Sequence, residues 1–421
     1  MKPRQTIVPL TILLLAAISL SQTAAPSPSL GAEDPRVRGP QFAKDSAPEF
    51  AWLLLLNLVS PAKSGQRGVR DPGKSVGAEG VPSVWETYRN ISTIYLPDGS
   101  HPHPWNDQKE LPLPPNSPFN PSPAALQALG PVDSPAIHYL YEDRMIDGNQ
   151  ICTLDVVNGI RKPLIVRYDI RDDRAAFDYI VNSPSHHYLY NLDGQEEAYK
   201  DPKFTFAFPE DAIEIKASWR ILKPTDDASR YWTAYIAWEE QGNIKFARGG
   251  LTGIHIISKI LPKWFWATFE QADDAASTFT YFGATIGSAV GRNLTFNNGA
   301  TKFNVEFDKL LTGTKWAFYQ LQGWQTDFVD GSNQPVLLAN TQMETSFEKT
   351  SSCMSCHLLA NIGPLSSVRF DLWDMAGGNI GGYVGNVNFQ QIAAQEFPNV
   401  TFKEMDYVWA LRNAKPKSKG N

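Results

Sequence analysis

Cys353-Met354-Ser355-Cys356-His357 carries the clearest chemistry in this 421-residue chain. C-x-x-C-H is the spacing by which a haem is attached covalently. Two thiols one helical turn apart reach the two vinyl groups on one porphyrin edge, and the histidine that follows can place an imidazole nitrogen under the iron. The chain holds only three Cys and seven His, so an accidental match is expected roughly a few times in ten thousand. The rival readings are a structural disulfide, a redox pair and two zinc ligands. Zinc would need further Cys or His at short spacing. A redox pair would open a helix after a strand and has no use for the trailing histidine. The expected cofactor is therefore one covalent haem c, with His357 on the proximal side.

Haem attachment of this kind takes place outside the cytoplasm, and the N-terminus reads as an export signal. Lys2 and Arg4 are followed by an apolar stretch, Thr6 to Leu20, and a small-residue region, Ser21 to Ala25. The expected signal peptide is 1–25, and the expected location is periplasmic or secreted. The apolar stretch is short of the ~20 residues that a membrane span needs, so no stable span is expected after cleavage. The net charge of −6 becomes −8 without Lys2 and Arg4. That balance argues against nucleic acid and favours a basic redox partner protein. With the motif cysteines committed, Cys152 is left over; its apolar neighbours read as those of a buried, inert thiol.

Which elements position the motif? The texture predicts an α+β chain: a β-rich, antiparallel, sandwich-like body and a helical C-terminal haem-binding segment. A flexible leader is expected over 26–48, the body over 49–340, and the haem-bearing segment over 341–421. Phe50 to Val59 is too short to span a bilayer and reads as a buried helix. Eleven of 31 prolines fall in 97–135, which argues against a regular helix or central strand and predicts a long surface excursion there. His101 and His103 in that stretch are a weak metal pair. Period-two alternation predicts strands at 164–171, at Phe204, Phe206 and Phe208, from Ile213 to Trp219, and at Phe303, Val305 and Phe307. Continuous apolar runs predict strands at 231–238 and 253–261. A short helix should carry the motif, and Asp406 to Ala414 should close the chain as an amphipathic helix.

Several stretches together resemble a family of exported bacterial cytochrome c family proteins with a single haem site near the C-terminus. They include Trp85-Glu86-Thr87-Tyr88, Ile215 to Trp219, Gly253-Ile254-His255-Ile256, Trp266 to Glu270, Asn340 to Glu344, the motif itself, and Asp406 to Trp409. The resemblance implies export, one covalent haem and redox work; it names no substrate.

The iron's other side separates carrier from enzyme. His255, inside an apolar run, is the leading distal ligand, because an unpartnered imidazole there would be costly. Met405, Met343, Met375 and an open position are the alternatives. Trp264, Trp266 and Phe269 could wall the haem, and Lys259 or Arg369 could pair with its propionates. Electron transfer is the expected function. A haem-dependent peroxidase or oxygenase with an open distal site is the alternative, and a disulfide-bonded binding protein the third.

Overall fold

The computed structural model describes residues 33–107, 121–140, 153–157, 160–164, 167–182, 187–240, 242–273, 278–281, 284–287, 300–340, 342–344, 351–364 and 384–418. The expected signal, Cys152, Arg369 and Met375 lie outside these residues.

The N-terminal part is helical. A 3₁₀ turn, Pro35–Arg38, leads into α1 (Gly39–Asp45) and α2 (Ala47–Val59), so the described part of the stretch read as a flexible leader is ordered structure. Pro48 sits in the first turn of α2, where a missing N–H costs nothing. The helix ends at Ser60, before Pro61, because the residue preceding a proline is pushed out of the helical region. Nearly every side of α2 is buried, as a helix apolar all round must be. At 13 residues it spans roughly 20 Å. No helix among the described residues is long and apolar enough to cross a membrane.

Shorter helices follow: α3 (Pro123–Ala128), α4 (Arg174–Val181), α5 (Leu192–Lys200), α6 (Ala300–Leu310), α7 (Cys353–His357) and α8 (Phe389–Glu396). Helix α3 falls inside the proline-rich stretch expected to be irregular, because Pro123 sits in its first turn, where a missing N–H costs nothing, and Ser122 caps it. The strands are β1 (Arg89–Asn90), β2 (Ile137–Tyr139), β3 (Thr153–Val157), β4 (Ile160–Leu164), β5 (Arg167–Asp172), β6 (Ile213–Ile221), β7 (Thr233–Glu240), β8 (Asn243–Ser258), β9 (Phe265–Gln271), β10 (Thr278–Tyr281), β11 (Ala284–Gly287), β12 (Tyr319–Gln325), β13 (Asn361–Ile362) and β14 (Lys403–Glu404). The chain is α+β with a β-rich body. Eight strands form one forked sheet, antiparallel except where β2 runs parallel to β7. The 16-residue β8 pairs with β6 along one edge. Its other edge pairs first with β7 and then with β9. A register shift opposite Ser218 and Trp219 lies where the fork opens, as expected of a bulge that bends a strand.

Two elements differ from the strand pattern. Phe303, Val305 and Phe307 lie in a helix, α6. Ala300, Asn304 and Phe307 are buried there while Val305 is half-exposed to solvent at 50%, so a period of three to four overrides the apparent period of two. The Phe204–Phe208 run is extended but unladdered. Two of its backbone N–H groups go to side chains instead: Phe208 donates to Asp406 at 2.7 Å and Ala207 to the Tyr179 hydroxyl at 2.9 Å.

The two faces of the sheet have different tasks. Ile215, Ala217, Trp219, Ile254, Ile256, Ala267 and Phe269 line one face and are buried in the apolar core, with Phe269 against Trp52 of α2 and Trp219 beside Trp85. Trp52 lies edge-on to Phe269, stacks on Phe307 at 4.9 Å, and donates to Asn304 at 3.1 Å. On the opposite face, strand register aligns Ile170, Lys216, His255 and Thr268 in one cross-strand row. Ile170, Lys216 and His255 are half-buried positions in otherwise buried strand interiors.

Candidate functional site

The motif helix is fastened to the end of β12. Ser352 caps α7, and its hydroxyl accepts a bond from the Gln325 amide at 2.9 Å. The Gln325 carbonyl in turn accepts Met354 N–H at 3.1 Å. Met354 and Ser355 are turned inward and fully buried. Residues three and four apart share a helix face, so Cys353, Cys356 and His357 are left together on the half-buried side. The one-turn spacing thus becomes a surface bearing two sulfurs and an imidazole.

After α7 the chain enters β13, whose pairing with β14 returns Met405 to Trp409 alongside the motif. There Tyr407 O accepts a hydrogen bond from His357 Nδ1 at 2.8 Å, and Trp409 Nε1 donates to Cys356 O at 3.3 Å. Asp406 and Tyr407 are both left-handed, with φ of 49° and 69°, a conformation that costs a non-glycine residue free energy. Three interactions hold it. The Asp406 carboxylate accepts from Lys259 at 2.6 Å and from Phe208 N–H at 2.7 Å, and its carbonyl accepts from Trp264 Nε1 at 2.9 Å. This kink also explains why the expected closing helix is only a 3₁₀ stretch, Trp409–Asn413.

His357 is thereby locked in one tautomer: Nδ1 carries the proton and Nε2 keeps its lone pair. Burial pushes its pKa down to about 4, against the upward pull of the Tyr407 bond, with Lys216 and His255 pushing further down. A neutral imidazole is the state that ligates a metal. Trp266, fixed by its donation to Lys263 O at 3.0 Å, packs against the His357 ring at 4.6 Å. Cys353 and Cys356 are free thiols. Burial, with Glu344 nearby, pushes Cys356 up to about 12 and Cys353 well above its ordinary value. Such thiols lack the depressed pKa of a reactive redox pair. Among the described residues, no group of three His, Cys, Asp or Glu is placed to share a metal ion.

His255 stands on the same sheet face. Its Nε2 meets Glu344 Oε1 at 3.2 Å, while Glu344 Oε2 accepts Asn340 N–H at 2.7 Å. Burial would raise the Glu344 pKa, but His255, Lys216 and the Asn340 bond hold it below its ordinary value. Lys216 places its ammonium 3.9 Å from the Tyr168 ring centre. Glu344 and Lys216 entered the sequence reading only as members of a longer stretch and of an alternating strand. The signal that could have singled them out is a charged residue at a position whose register neighbours face His255.

Other expected residues are placed elsewhere. Phe269 lies on the apolar face and Trp264 packs on Phe208, so of the three aromatics Trp266 is the one placed against the motif. Lys259 is committed to Asp406 rather than to a propionate. Met405 and Met343 are buried, and Met405 N–H bonds Ala360 O at 2.9 Å. His103 pairs with Asp107 at 3.0 Å and His101 bonds Pro102 O; neither joins a metal cluster.

A second polar cluster has no signature in the sequence. On the apolar face, buried His138 bridges Glu86 and Asp169, each at 3.0 Å, and Arg171 bonds Asp169 at 2.6 Å. Burial alone would raise the Asp169 pKa, but Arg171 and His138 hold it down at about 2. The cluster satisfies charges at the edge of a tryptophan-rich core, where unpaired ones would be prohibitive.

No protein-family model, no curated protein and no solved structure matches the chain.

Proposed function

We propose that this chain is an exported, periplasmic monohaem c-type cytochrome that passes single electrons between a donor and a redox partner protein. The observation that carries the reading is the helical turn on which Cys353, Cys356 and the bare Nε2 of His357 lie together. Cys353 and Cys356 would hold the haem as thioethers, for which raised thiol pKa values are no obstacle. His357 would be the proximal ligand, and His255 is the proposed ligand on the other side. When bound, the haem supplies a one-electron redox centre. The chain's own part is to orient the imidazoles, to limit water through Trp266 and the sheet, and to set the local charge. Here Lys216 and Glu344 act in opposite senses on His357.

The test is a haem stain of the full chain on a denaturing gel, after export in cells with haem-attachment machinery. A stained band that disappears in Cys353→Ala/Cys356→Ala is expected. A colourless wild-type band would overturn the proposal.

The His255–Glu344 pair also favours a second reading, a haem-dependent peroxidase or oxygenase-type enzyme. An imidazole backed by a carboxylate can move a proton to or from a small oxygen-containing substrate. Cyanide titration separates the two: an open iron binds it readily, a doubly ligated one slowly or not at all.

A further inference from the structure

We infer that Glu344, braced by Asn340, is the positioning residue for His255 and makes Nδ1 its metal-ligating nitrogen. This rests on the proposal that a haem is bound at Cys353, Cys356 and His357. The two histidines of the site are each locked by one hydrogen bond, but at opposite nitrogens. His357 gives its Nδ1 proton to the Tyr407 carbonyl, which frees Nε2. His255 presents Nε2 to a carboxylate oxygen at 3.2 Å. A carboxylate only accepts, so Nε2 carries the proton and the lone pair of the neutral ring resides on Nδ1.

The brace behind Glu344 is built from the sheet. Asn340 donates its backbone N–H to Glu344 Oε2 at 2.7 Å. Its side-chain amide donates to Thr268 Oγ1 and Phe269 O, each at 3.1 Å. Thr268 is the cross-strand neighbour of His255. Gly253, two residues earlier in β8, leaves room for the bracket, since a Cβ there would lie 2.6 Å from Asn340 Nδ2. The ligand candidate and its orienting carboxylate are thus tied to adjacent strands. A carboxylate on the far nitrogen of a metal-bound imidazole fixes the ring and raises its donor strength, and losing such a partner typically costs 10–100-fold in metal affinity or activity. A more basic ligand favours the ferric iron.

The experiment uses the full exported chain with haem attached, as wild type, His255→Ala, Glu344→Gln and Glu344→Ala. Spin state is read from visible and electron-paramagnetic spectra, and potential by spectroelectrochemistry. Wild type is expected to be low-spin and His255→Ala high-spin. Glu344→Gln keeps an acceptor for Nε2–H, so it stays low-spin. Without the charge its ferric preference falls about tenfold, which is 59 mV upward for a one-electron couple. Glu344→Ala loses the orientation as well and becomes partly high-spin, a defect that glutamine rescues. A low-spin His255→Ala would overturn the inference by placing the ligand elsewhere. An unchanged potential in Glu344→Gln would overturn it by reducing Glu344 to a structural contact. If the wild type carries no haem on a denaturing gel, the haem reading fails first, and visibly so.

Discussion

Replacing Glu214 by glutamine should stabilise the protein at alkaline pH and leave it nearly unaffected at acid pH. Glu214 and Asp172 are direct partners across β6 and β5 and both are buried; burial raises both carboxyls, and Glu214 raises Asp172 further while Asp172 pulls Glu214 down. Asp173 and the Tyr95 phenol also face this pair, and Lys216 opposes the shift. Glu214 is pushed up to about 7 from 4.5. A carboxyl raised on folding holds its proton more tightly in the native state. Its stabilisation is therefore complete below the unfolded pKa and lost as pH rises through the folded one. At 1.36 kcal/mol per pKa unit the loss by pH 8 is about 3 kcal/mol, and it belongs to the coupled pair rather than to one residue. Glutamine keeps nearly the same volume and removes the titration. Urea unfolding of wild type and variant at pH 5 and pH 8 reads the effect. The advantage of Glu214→Gln should grow by roughly 1–3 kcal/mol between the two pH values, allowing for the range seen with buried polar groups. Asp173 titrates in the same direction in both proteins and cancels in the difference. An equal variant-minus-wild-type difference at both pH values would refute the argument.

Trp52→Ala should cost about 3–5 kcal/mol in urea unfolding, because it removes a fully buried indole stacked on Phe307 and packed edge-on to Phe269. A loss below 1 kcal/mol would mean that α2 is not the cover of the apolar face. Gly253→Ala should lower stability by about 1–3 kcal/mol through overpacking and move the haem spectrum of the loaded protein. The added Cβ displaces Asn340 and, through it, the Glu344–His255 bracket; a spectrum and stability identical to wild type would show that the bracket yields freely.

Local rules were enough for whatever depends on near neighbours in the chain. The motif spacing already places two sulfurs and an imidazole on one helical face, because 3.6 residues per turn decide it. The apolar density of Phe50 to Val59 required a buried helix, and the alternation of Ile213 to Trp219 required a strand. Where two periods competed, packing chose. Phe307 serves a helix because α2 offers Trp52 to stack against. The chain leaves the helical region at Asp406 because Lys259, Phe208 and Trp264 bond that residue from elsewhere in the chain.

Only strand register, a relation between segments distant in sequence, could set Lys216 beside His255 and Glu214 against Asp172. The Tyr407 carbonyl lies 50 residues beyond His357, and the Glu344 carboxylate 89 beyond His255. Those two bonds select which nitrogen of each imidazole is bare. The sequence by itself named the histidines and the thiols; the tertiary structure decided their tautomers, because hydrogen-bond partners are a property of space and not of spacing.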